Sequence, residues 1–111
     1  MKALFLVLNK VEKLNLLLNE FANENFNGAT IFNSNGMAHS LYESDDHNAF
    51  FAYRSYINPK RKESKTIMMI INDDEQQRVV DCIEKVLGDL SQPDLGIIFT
   101  FPIDYVKGMH K

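Results

Sequence analysis

The sequence predicts an α+β fold, with four strands and two helices in the order β-α-β-β-α-β. The expected form is a four-stranded antiparallel sheet with two helices on one face and a long loop between strands 2 and 3. Three observations predict it. Short apolar runs of strand length recur along the chain. Two stretches carry apolar residues at helical spacing. The same strand-then-helix order occurs twice.

The run Ala3–Leu8 is apolar throughout and ends at Asn9. A short continuous run bounded by polar residues fits a strand buried on both faces. Val11, Leu14, Leu17, Leu18 and Phe21 then fall on one helical face. Asn9 precedes them with Glu12 three residues on, which suits an N-cap and a capping box. Asn27-Gly28 offers a left-handed stop for that helix. Ala29–Phe32 reads as the second strand, ending near Asn35-Gly36.

The second half repeats the order. Thr66–Ile71 is a strand ended by Asn72, and Val79, Ile83, Val86 and Leu90 mark the second helix. Pro93 breaks the chain after it, and Gly96–Phe101 is the last strand, closed by Pro102. Lys2, Asn9 and Glu12 align with Lys65, Asn72 and Glu75 at a constant offset, which supports a duplicated unit. Two such units make the ferredoxin-like motif.

The chain of 111 residues reads as a single domain, 1–111, with a loop excursion over about 38–65. Long connections in compact domains are usually functional or disordered. This one begins acidic at Glu43, Asp45 and Asp46. It is aromatic over Phe50, Phe51, Tyr53 and Tyr56, and basic at Lys60, Arg61, Lys62 and Lys65.

Charge and cysteine content narrow the function. Twelve Lys and Arg against fifteen Asp and Glu leave a formal charge of −3, which does not suit a nucleic-acid partner. Cys82 is the only cysteine, so no internal disulfide forms and an intracellular, cytoplasmic setting is the simplest reading. The opening apolar run has six residues, short of the roughly 18 that span a membrane, so no membrane insertion is expected.

The strands carry a further implication. Leu4–Val7, Ile67–Ile70 and Ile97–Phe99 leave neither sheet face polar, yet two helices cover only one face. At about 25 cal/mol per Å², an apolar face left in water is costly. A second copy of the chain is the expected cover.

Candidates for chemistry are few. His39 and His47 flank Asp45 and Asp46 in the loop, but nothing gathers them with His110 into a metal site. Cys82 sits in a helix without a neighbouring base and reads as a core residue. Walker A, G-x-G-x-x-G and G-x-S-x-G motifs are missing, and no catalytic residue is assigned; the expectation is a non-enzyme. Gly36 closes the second strand, and Gly88 and Gly96 flank the connection into the last one; turns of this kind can offer backbone amides to an anion.

In this order of elements the chain resembles the PII-like signalling proteins. The residues that carry the resemblance are Lys2–Val7, Gly28-Ala29-Thr30-Ile31, Gly88 onward, and above all Gly96–Val106 with Pro102 after the last strand. The resemblance implies a homotrimer of ferredoxin-like subunits that binds a small effector at intersubunit clefts. No cofactor is required, and ATP, ADP, AMP or a cyclic nucleotide is the implied effector. By resemblance the ligand residues are Thr30, Asn35, Gly36, Met37, Gly88, Gly96 and Lys107. The loop between strands 2 and 3 corresponds to the family's T-loop. Tyr53, Arg54, Tyr56, Lys60, Arg61 and Lys62 would there engage a protein target, a transporter or an enzyme.

Two departures stand out. The family's phosphate-binding loop carries a glycine-aspartate-glycine-lysine run, where this chain has Asp94-Leu95-Gly96-Ile97, with isoleucine in place of lysine. The family's C-terminal arginines are missing, and Lys107 and Lys111 are the nearest substitutes. Two other expectations share the fold. One is a small enzyme of the dimeric α+β barrel type, and the other is a CutA-like metal-related trimer.

Overall fold

A computed structural model describes residues 1–37, 40 and 63–109. Strand β1 (Lys2–Leu8) leads through a 3-10 turn (Val11–Lys13) into helix α1 (Leu14–Asn23). Strands β2 (Thr30–Ser34) and β3 (Ser64–Ile71) follow. A second 3-10 turn (Asp73–Glu75), helix α2 (Gln76–Leu87) and strand β4 (Gly96–Pro102) complete the fold. The sheet order is β2-β3-β1-β4, and every neighbouring pair is antiparallel. This is the expected α+β layout, with the two central strands being the most continuously apolar ones.

Alternation along the central strands sorts side chains onto two faces. Leu4, Leu6 and Leu8 of β1 and Ile67, Met69 and Ile71 of β3 are buried in the core. They pack with Leu17 and Phe21 of α1 and Val79, Cys82, Ile83 and Leu87 of α2. The two helical stripes read from sequence therefore both point at one sheet face.

The helix ends differ from the sequence expectation. Asn9 does not cap the first helix; Lys10 stands at the start of the 3-10 turn, with no side-chain cap. The N–H groups of Asn9 and Lys10 instead donate to the Leu95 carbonyl, at 3.1 and 3.4 Å. That contact with the approach to β4 draws the chain away from capping geometry. At the aligned position, Glu75 does reach back, its Oε1 accepting from the Asn72 N–H at 2.8 Å.

The stop of α1 is also earlier than Asn27-Gly28. Asn25 takes the left-handed conformation, φ 65°. The N–H of Phe26 donates to the Phe21 carbonyl at 2.8 Å and that of Asn25 to the Ala22 carbonyl at 3.0 Å, a Schellman closure. Asn tolerates the left-handed region better than most residues, so it serves where glycine would. Helix α2 ends at Gly88, φ 88°, as a residue without Cβ allows.

The other sheet face is apolar and uncovered among the described residues. Phe5, Met68 and Ile70 are half-buried there. Phe32, Ile97, Phe99 and Phe101 are 44–59% exposed. Phe5 stacks on Phe99 at a centroid distance of 5.3 Å and lies 5.6 Å from Phe101. Three of its hydroxyls bond to one another. Ser34 Oγ lies 2.7 Å from Ser64 Oγ and 2.9 Å from Thr66 Oγ1. Among the described residues no helix is long and apolar enough to cross a membrane.

Candidate functional site

A cleft of about 460 Å³ opens at the β2 edge of the sheet. Its origin is a mismatch of strand lengths. Thr30, the first residue of β2, faces Met68, so β3 runs on through Met69, Ile70 and Ile71 without a β2 partner. The Schellman turn at Asn25 carries the chain out from α1 and back to Thr30 around that overhang. The cleft is lined by Asn25, Phe26, Asn27, Gly28 and Thr30 on one side and Met68 through Ile71 on the other, with Glu75 and Met109.

Phe26 forms a buried wall, and its ring carries the Arg78 guanidinium 4.7 Å from its centroid. Arg78 is held in place by the Glu24 carbonyl, which accepts from Nη2 at 2.8 Å. Glu75 is tied to the Asn72 N–H.

This lining has a definite chemistry. Methionine sulfur and the Phe26 ring present soft, polarizable surface suited to a flat aromatic group. Asn25, Asn27 and Thr30 bring both donors and acceptors. The one charged side chain of the lining is a carboxylate, Glu75. The cleft therefore suits a neutral planar head group better than a phosphate.

The residues named from sequence fall in three places. Thr30 lines the cleft. Gly96 opens β4 opposite Leu8, while Asn35, Gly36 and Met37 follow Ser34, the end of β2. These two groups share one end of the sheet but stand on opposite edges, three strand spacings or roughly 14 Å apart. One chain alone does not bring them together. Gly88 caps α2, and Lys107 lies exposed in the tail two residues before Met109. Tyr53, Arg54, Tyr56, Lys60, Arg61 and Lys62 lie outside the described residues, as do His39, His47 and His110.

Gly96 has a packing reason of its own, since a Cβ there would approach the Val7 carbonyl. Cys82 is buried, and its thiol pKa is raised, first by burial and then by the Glu20 and Glu24 carboxylates, with Arg78 and Lys85 opposing. A thiol so placed is a poor nucleophile. Among the described residues no three His, Cys, Asp or Glu side chains are grouped to hold a metal ion.

Sequence reasoning missed Asn25, Phe26, the overhanging β3 residues and Met109 as one site. The Asn-rich run Asn23–Asn27 was its only local signal.

Neither the protein-family models nor the curated proteins give a match to this chain. Among solved structures it is similar to the crystal structure of a functionally unknown protein from Pediococcus pentosaceus ATCC 25745. The two are 14% identical, with a TM-score of 0.65, over 97% of this chain and 96% of that one. At that identity the likeness shows the fold alone.

Proposed function

We propose that this chain is a PII-like regulatory protein. It assembles as a homotrimer, binds a small effector at intersubunit clefts and controls a partner protein through the segment between β2 and β3. The observation that carries the reading is the uncovered apolar sheet face. Phe5, Phe32, Ile97, Phe99 and Phe101 are stabilised only when a second surface covers them, and the Ser34–Ser64–Thr66 hydroxyl cluster can be covered without leaving a polar group unpaired.

Assembly also supplies what one chain lacks. A neighbour's β4 edge set beside this chain's β2 edge would bring Gly96 toward Asn35, Gly36 and Met37. The cleft at Thr30 opens on that same β2 edge and suits the base of an adenine nucleotide. Lys107 and Gly88 complete the set of ligand residues that the resemblance implies. The protein target meets Tyr53, Arg54, Tyr56, Lys60, Arg61 and Lys62, and the setting is the cytoplasm. The role is binding and signalling rather than catalysis, with ligand affinity differing between two states of the segment.

The test combines solution mass with thermal shifts in ATP, ADP, AMP and cyclic nucleotides. A trimer is expected, together with a shift from at least one nucleotide. Ligand at 100 times its Kd adds about 2.7 kcal/mol when it binds only the folded state. A stable monomer at micromolar concentration overturns the assembly, and no shift from any nucleotide removes the ligand class. A dimer would favour the α+β barrel enzyme reading, in which two apolar faces close on each other.

A further inference from the structure

Asn27-Gly28 stands between the Schellman turn at Asn25 and the start of β2, and both residues line the cleft. Both are exposed. An asparagine side chain carries an electrophilic amide carbon, and the next backbone nitrogen can reach it to close a ring. Two things prevent that closure in folded chains. A Cβ on the following residue crowds the approach, and a hydrogen bond on the following N–H holds the nitrogen away. Glycine removes the first obstacle.

Only Asn27 and Asn35 are followed by glycine. Elsewhere the second obstacle is often present as well. The Lys10 N–H after Asn9 donates to the Leu95 carbonyl, the Glu24 N–H after Asn23 to that of Glu20, and the Phe26 N–H after Asn25 to that of Phe21. Asn33 lies in β2, and its Oδ1 accepts from Lys65 Nζ at 2.6 Å. At Asn27-Gly28, among the described residues, neither the side chain nor the Gly28 N–H takes part in a hydrogen bond. A Cβ added to Gly28 would meet nothing within 4 Å, so no packed neighbour fixes the backbone on that side.

We propose that Asn27 is a self-modification site that changes the charge of the cleft. The Gly28 nitrogen attacks the Asn27 side-chain amide carbon, a C–N bond forms, and the amide nitrogen leaves as ammonia with the displaced proton. Water then opens the succinimide at either carbonyl, leaving aspartate or isoaspartate at position 27. One water is consumed and one ammonia released, with no oxidation or reduction. The product sets a second carboxylate in a lining whose charged side chain is Glu75. Two negative charges in one cleft oppose a phosphate-bearing ligand. The modification rests on Asn27-Gly28 alone; only its effect on an effector rests on the proposed function.

The test incubates the full chain at mildly alkaline pH, native and in guanidinium chloride, and locates the gain of one dalton by fragment mass spectrometry. The native rate at Asn27 should lie within about threefold of its denatured rate, since no local structure has to open first. Gly28→Ala should slow the native reaction at least about tenfold, because a Cβ then crowds the nitrogen. A native rate tenfold or more below the denatured one, or no slowing in Gly28→Ala, overturns the site. Thermal shifts of the parent and Asn27→Asp with ATP separate the two ideas. Modification at the expected rate with equal ATP shifts leaves the site standing and removes the cleft as a phosphate-ligand site. A smaller shift in Asn27→Asp without modification of the native parent does the reverse.

Discussion

A Cβ placed on Gly96 would lie 2.7 Å from the carbonyl oxygen of Val7 and 3.3 Å from Leu6 Cδ1. The first residue of β4 thus sits so close to β1 that only hydrogen fits between them. Gly96→Ala must push β4 away from β1 at the point where the strand begins. The expected cost is about 1–3 kcal/mol, as for other small-to-large changes in packed sites. Gly28→Ala is the control, because a Cβ there meets nothing within 4 Å. Thermal denaturation of both variants checks the contrast. Equal melting temperatures would show that the close approach relaxes freely.

The same pair shows what was legible in the sequence and what was not. Gly96 was recognisable as special, since a glycine opens an otherwise apolar strand. The reason was not visible, because Val7 lies far away in the chain. The helices were legible because each rests on local periodicity, as with Leu17 and Phe21 or Val79 and Ile83, and the strands because each is a short apolar run bounded by polar residues. The helix ends were half legible. Glu75 reaches Asn72, but its aligned partner Glu12 does not reach Asn9, because Leu95 has taken the Asn9 N–H. The cleft was least legible. It exists because β3 outruns β2 by three residues and because Met109 arrives from the far edge. Neither fact is carried by any short window of sequence.

The stacked rings of Phe5 and Phe99 yield a prediction about assembly. Phe99 is 45% exposed on the uncovered face, directly paired with Phe5. Phe99→Glu places a charge where a second copy is proposed to pack. An uncompensated charge at a covered apolar surface is strongly unfavourable. The variant should sediment as a smaller species than the parent while keeping its far-UV circular dichroism. If Phe99 faces only water, sedimentation is unchanged and the covered-face reading loses its basis.

The two aligned glutamates make a second contrast. Glu75→Ala removes the acceptor for the Asn72 N–H at the start of the turn into α2. Losses at helix starts of this kind cost typically about 1 kcal/mol. Glu12→Ala removes an exposed side chain with no such bond and should stay within about 0.5 kcal/mol of the parent. Urea unfolding of the two variants measures the difference. A larger loss for Glu12→Ala would mean that the first turn is capped in solution after all.

Cys82 links burial to pH. The thiol, carried by α2, is buried in the core at 5% exposure, and its pKa is raised chiefly because burial disfavours the thiolate. In the unfolded chain the thiol ionises in its ordinary range, so above that range the unfolded state holds fewer protons than the folded one. Stability from this group is therefore complete below the unfolded pKa and declines as pH rises through the folded value. Cys82→Ala removes the titrating group, so its unfolding free energy should fall less steeply at alkaline pH than the parent's. The native thiol should also react slowly with a disulfide reagent at pH 8 and fast once denaturant is added. Parallel pH dependences for parent and Cys82→Ala, or rapid labelling of the native chain, would place Cys82 in a more open setting than the core described above.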